Sequence, residues 1–132
     1  MALQYSVAVN NARLDAVETT TGASAKLRIY TGSAPANCAA AATGTLLVDM
    51  ALPADWMSAA SAGSKAKLGT WSGTGAAAGV AGYFRIVDNA GTTAHLQGTC
   101  GIGTGDLQLD NTNIAISQTV TVNTFTLNAA NT

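Results

Sequence analysis

Acid–base or thiol chemistry near neutral pH would have to start from one histidine, His95, and two cysteines, Cys38 and Cys100. A Ser-His-Asp or Cys-His mechanism needs the histidine within reach of a nucleophile and of a group that orients it. His95 stands between Ala94 and Leu96 in an alternating run, which reads as a strand histidine on a surface or in a hydrogen bond. The cysteines are too few and too widely spaced for a disulfide framework or a zinc ribbon, so both are expected as free thiols. Asp106 and Asp110 flank Leu107 and Leu109. On a strand, a spacing of four separates them by about 13 Å, beyond the span of paired glycosidase carboxylates. Asp106, Asp110, Asn111 and Asn113 together lack the ligand spacing of a calcium loop, so the aspartates read as closing the ends of a short strand.

Gly101-Ile-Gly-Thr-Gly105 superficially matches a phosphate loop. It leads toward a strand rather than a helix, and no Gly-Lys-Ser or Gly-Lys-Thr follows. Its glycines therefore read as turn residues at positive φ. Trp56, Trp71, Tyr30 and Tyr83 could form an aromatic platform for a sugar or a partner. Aromatic residues are only 5% of the chain, however, and core filling is the plainer role for Trp56 and Phe84. With no catalytic constellation in the sequence, the chain reads as non-enzymatic, with no cofactor, metal or small-molecule ligand expected.

The elements that would position these residues are mostly strands. At 132 residues the chain has the length of one domain that buries roughly two-thirds of its unfolded surface. The expected organisation is a single unit over 1–132: an N-terminal arm and helix over 1–22, a β-sandwich over 23–128 and a tail over 129–132. Ser6–Thr21 is the one helix candidate. Val7, Leu14 and Val17 recur near the helical period beside Ala12 and Ala16, Ser6 can cap the start, and Gly22 suits the end. From Ala25 the period becomes two. Strands are expected over Ala25–Tyr30, Leu46–Leu52 and Ala66–Trp71, with Ser72–Gly79 as connection. Tyr83–Val87 and Thr92–Gly98 should form a hairpin around Asp88–Gly91, followed by a short strand over Asp106–Asp110. In the last segment Val120 and Val122 share one parity and Phe125 and Leu127 the other. That strand is either buried on both sides or re-aimed by a β-bulge near Asn123-Thr124. The fold class is therefore mainly β, an antiparallel β-sandwich or jelly roll with one short N-terminal helix.

Charged residues are only 10% of the chain, and the formal net charge is −1. Scattered single charges make no field to hold a polyanion, so no nucleic acid is expected. A surface this poor in charge weakens the usual protection against self-association. Met1–Tyr5 lacks the basic and apolar regions of a secretory signal, and no run approaches a membrane span, so a soluble domain without membrane contact is expected.

This order ends in the run Leu107-Gln-Leu-Asp-Asn-Thr-Asn-Ile-Ala-Ile-Ser-Gln-Thr-Val-Thr-Val-Asn-Thr-Phe-Thr-Leu127. In size, composition and texture, over nearly its whole length, the chain resembles small virion proteins of tailed bacteriophages, and most closely capsid decoration, or cement, proteins. The resemblance implies a jelly-roll or related β domain that forms homodimers or homotrimers and clamps neighbouring major capsid subunits. It places the protein on the outer surface of the head, in virions assembled in the host cytoplasm. The N-terminal segment, with Tyr5, Val7, Leu14 and Val17 as candidate interface residues, or the tail after Leu127 would contact another chain. A tail, baseplate or head-fibre component with a receptor- or glycan-binding β domain is the alternative.

Overall fold

A computed structural model describes residues 3–129; Met1, Ala2 and residues 130–132, most of the expected tail, lie outside the described residues. The helix forms where expected, as α1 over Val7–Thr21. Ser6 has extended backbone and its Oγ accepts from the Val9 N–H at 3.2 Å. At the other end Gly22, with φ 92°, donates its N–H to the Glu18 carbonyl at 2.9 Å.

Among the described residues ten strands follow: β1 Lys26–Tyr30, β2 Leu46–Ala51, β3 Ser64–Ala66, β4 Ser72–Thr74, β5 Gly79–Val80, β6 Tyr83–Val87, β7 Ala94–Gly101, β8 Leu107–Leu109, β9 Asn113–Ile114 and β10 Thr119–Asn128. One sheet runs β2-β1-β6-β7-β8-β10-β3, with β4 also paired to β10, and β5 and β9 form a separate ribbon. The fold is thus mainly β with one short helix. Pairing is antiparallel except where β7 and β8 run parallel, Cys100 beside Leu107 and Gly101 beside Gln108. The five residues between them return the chain to the start of that register, with Gly103 and Gly105 at φ 67° and 82°. Gly103 and Gly105 are turn residues, as the sequence implied, whereas Gly101, read as a third, ends β7 without a positive φ.

The sheet curls until its edges nearly meet. Val48 of β2 bridges Gly75, just past β4, and the Ala76 N–H donates to the Leu47 carbonyl at 2.7 Å. Inside lie Leu27, Ile29, Met50, Trp56, Trp71, Ile86, Leu107, Leu109, Val120 and Val122, all essentially inaccessible to solvent. Trp71 meets Phe125 at 5.5 Å between ring centroids, and Phe125 meets Phe84 edge-on at 5.5 Å. Leu47, which strict alternation would turn outward, is also buried, because a register shift between Ile29 and Tyr30 lets β2 carry an extra residue there.

Two expected elements change place. The strand read over Ala66–Trp71 is instead Ser64–Ala66, and the Ser72–Gly79 tract read as connection supplies β4 and the start of β5. An added Cβ on Gly73 would lie 3.2 Å from Met50 and from Val48. Glycine therefore lets this backbone pack directly on β2, a role that leaves no apolar period in the sequence. In β10 the parity change resolves as the bulge: Val122 pairs with Leu109 and Thr124 with Gln108, leaving Asn123 over. On its other edge β10 pairs with β4 through Thr119–Thr121 and with β3 through Thr126–Asn128.

β6 is buried on both faces, because the Thr31–Thr45 loop covers the outer one. Tyr83 Oη accepts from the Thr43 N–H at 3.0 Å and donates to the Thr43 carbonyl at 2.6 Å. Arg85 donates to the Ala40 carbonyl at 2.7 Å and the Asn37 carbonyl at 3.2 Å, and the Gln97 amide donates to the Pro35 carbonyl at 2.9 Å. Tyr83→Phe should therefore cost about 1 kcal/mol in urea unfolding, by removing both hydrogen bonds that tie the Thr43 backbone to the buried ring. It should also speed proteolytic cleavage within the loop while leaving far-ultraviolet circular dichroism unchanged.

Candidate interaction surface

The helix docks mainly through polar groups. Asn11 Oδ1 accepts from the Gly63 N–H at 2.9 Å, Asp15 Oδ1 from the Ala60 N–H at 3.0 Å, and Glu18 Oε2 from the Met57 N–H at 3.0 Å. Lys65 of β3, only 2% exposed, reaches between them. Its Nζ lies 2.8 Å from Asp15 Oδ1, 3.0 Å from Glu18 Oε1 and 2.8 Å from the Ser58 carbonyl. The Trp56 indole N–H, at 3.0 Å from the Gly22 carbonyl, fastens the far end. Residues 11, 15 and 18 recur at helical spacing, so one flank of α1 ladders along the 57–65 segment.

The hydrogen bond from Lys65, followed by that from the Ala60 amide, holds the Asp15 carboxyl below its ordinary value. For Lys65 the largest single influence is burial, which lowers its pKa. The hydrogen bonds to Asp15 and Glu18 and their negative charge outweigh it, so the ammonium is held above its ordinary value.

This docking sorts the expected interface residues. Leu14 turns inward with Asn10 and Thr21 and is buried within its own chain. Val17 is half-buried, bordering a shallow depression with Arg13, Thr20, His95 and Leu96. Tyr5 is half-buried, with the Arg13 guanidinium 4.7 Å from its ring centroid. Val7 is exposed, as are Val9 and, in the arm before the helix, Leu3 at 73%. Contact with another chain can thus draw on Leu3, Val7 and Val9 directly, whereas Leu14 supports the helix from beneath.

The residues singled out for chemistry are dispersed into structural roles. His95 lies in β7 beside α1. Asp106 Oδ2 accepts from the Thr99 N–H at 3.0 Å and its Oγ1 at 3.3 Å, and Asp110 Oδ1 accepts from the Thr121 N–H at 3.1 Å. Both aspartates close strand ends. Cys38 and Cys100 are free thiols. Burial, reinforced by the negative charge of Asp106, pushes the Cys100 thiol up to about 12, so it stays protonated at neutral pH. Among the described residues no three His, Cys, Asp or Glu side chains gather as a metal site.

The aromatic platform is corrected. Trp56, Trp71 and Tyr83 are wholly buried and Tyr30 nearly so. Tyr30 and Tyr83 stack on each other at 5.0 Å with 11° between planes. None of the four presents a ring face to a sugar, because the core and the covering loop take them.

A feature the sequence did not disclose is a split in the sheet. β8 has three residues between neighbours of eight and ten. Beside β8's start, β7 and β10 continue past each other unpaired, leaving a cleft of about 390 Å³. Leu96, Phe84, Phe125 and Leu127 form its apolar lining, while Gln97, Asp106, Thr126 and Asn128 add polar groups. Gly98 is tuned to this place, since an added Cβ would lie 2.6 Å from the Asp106 carboxylate and 2.9 Å from the Phe84 ring. The only trace in the sequence is the shortness of the Leu107–Leu109 run beside two longer ones.

In comparison with known proteins, no family model, no curated protein and no solved structure matches this chain.

Proposed function

We propose that this chain is a non-enzymatic virion structural protein of a tailed bacteriophage, a self-associating decoration protein that binds the outer surface of the head and stabilises it. The observation that carries the reading is the N-terminal segment. It exposes Leu3, Val7 and Val9 on a protein with few charges, while Lys65, Asp15 and Glu18 hold its helix rigidly to the body. A rigid apolar edge repeated over a lattice of capsid subunits adds weak contacts through multivalency. Low surface charge removes the repulsion that would oppose such packing. The resemblance in size and texture to cement proteins points the same way. The tail or head-fibre alternative keeps its Asn- and Asp-rich turns but loses the exposed aromatics that motivated it.

Purified protein added to expanded, undecorated heads of the encoding phage should co-sediment at a fixed ratio to the major capsid protein. It should also raise the temperature at which the heads disrupt. Protein that stays in the supernatant, with heads no more heat-resistant than before, would sink the proposal.

A further inference from the structure

The cleft between β7 and β10 has the form of a missing strand. In β10 the Lys67 N–H donates to the Phe125 carbonyl and the Ala129 N–H to the Gly63 carbonyl, both at 2.9 Å. Odd-numbered residues therefore bond toward β3, and alternation turns the N–H and C=O of Thr126 and Asn128 to the opposite edge. In β7 the Cys100 N–H donates to the Gly82 carbonyl at 3.3 Å. Gly98 then faces β6, and Thr99 and Gln97 face the cleft. Asp106 satisfies Thr99 through its carboxylate and its own N–H. Among the described residues nothing pairs with the cleft-facing backbone of Gln97, Thr126 or Asn128. Two facing strand edges over an apolar floor are a template for one more strand.

We infer that the N-terminal arm of a second copy, the segment before α1 that carries Leu3 and Gln4, inserts here as a strand in line with β8, antiparallel to β10 and parallel to β7. Three observations select this occupant. Leu3–Tyr5 have no regular structure, and Leu3 is the most exposed large apolar side chain among the described residues. The arm leaves α1 at the right end of the molecule: Asn11 and Ala129 both bond to Gly63, so the first turns of the helix and the end of β10 meet beside the open end of the cleft. The pattern also fits. Laid beside the Thr126–Asn128 edge, the arm by alternation puts Leu3 on the floor formed by Leu96, Phe125 and Leu127 and turns Gln4 outward. Tyr5, held by Arg13, anchors the arm at its root. Exchange between copies closes a dimer or a trimer without unfolding either body.

The inference shares with the proposed function self-association and the exposed Leu3, which it places in a neighbouring copy, leaving Val7 and Val9 for the capsid surface. A monomeric chain that still decorates heads would overturn arm exchange alone; an arm-exchanged oligomer that ignores heads would overturn the decoration role alone. The test is light scattering with amide hydrogen exchange on the full chain and on Leu3→Asp. Expected are a dimer or trimer with slowly exchanging Gln97, Thr126 and Asn128 amides. In Leu3→Asp those three amides should exchange at least tenfold faster in a monomer whose far-ultraviolet circular dichroism is unchanged. A monomeric wild-type chain would overturn the inference. So would an oligomer that survives Leu3→Asp, or cleft amides still slow in that variant, which would assign the cleft to a different segment. Thr126→Ser, which keeps the edge amide, should leave the oligomer intact; its loss there would also count against the inference.

Discussion

Replacing Lys65 with methionine is expected to cost about 2 kcal/mol of folding stability and to loosen α1 from the sheet. Lys65 is buried to 2% exposure and joins Asp15, Glu18 and the Ser58 carbonyl. Methionine keeps most of the volume but removes the charge, leaving two neighbouring carboxylates uncompensated and the half-buried Ser58 carbonyl without its donor. Urea unfolding measures the total. Hydrogen exchange should show the loss concentrated in α1 amides while β1 and β6 stay protected. A change below about 1 kcal/mol would mean that Leu14, Asn10 and Thr21 suffice to dock the helix.

The pH profile of stability probes the same cluster. Asp15 titrates below its ordinary 3.8 when folded, so its contribution is complete above that value and is lost as pH falls through the depressed one. Lys65 titrates above its ordinary 10.5, so its contribution is complete below that value and is lost as pH rises through the raised one. Subtracting the Lys65→Met profile from that of the wild type should leave a plateau between these limits that declines on both sides.

Gly75→Ala should cost about 3 kcal/mol, because an added Cβ would run into the Ala115 carbonyl, which is backbone and cannot swing away. Gly75 also sits at the closing seam. It bridges Val48, donates its N–H to the Gln118 carbonyl at 2.8 Å and accepts from the Ser117 N–H at 2.8 Å. Gly73→Ala, two residues earlier, is the control. Its new methyl would meet only the side chains of Met50 and Val48, which can shift by a few tenths of an ångström, so about 1 kcal/mol is expected. Thermal or urea unfolding of the pair decides it: equal losses would mean that the seam does not govern closure of the sheet.

Where local chemistry alone sets structure, the sequence could be read directly. Ser6 and Gly22 bound the helix because a cap oxygen and a left-handed residue act within one turn. The β6–β7 hairpin follows from Asp88, whose carboxylate accepts from the Thr92 N–H at 2.8 Å across its own turn. The parity change near Asn123-Thr124 narrowed β10 to two readings, burial on both faces or a bulge, and the register shift chooses the bulge, since one added residue exchanges the two faces of a strand.

Tertiary structure decided the rest. Nothing local in Lys65 foretells burial, because its partner Asp15 lies fifty residues away in α1, and only docking makes the helix carboxylates worth more to it than water. β4 escaped notice because glycine packs by having no side chain. Tyr83 alternates like a solvent-facing residue, yet the Thr31–Thr45 loop folds over it. The open cleft depends on how far β8 extends beside its two neighbours. Strand pairing is a relation between distant segments, whereas composition and period describe one segment at a time.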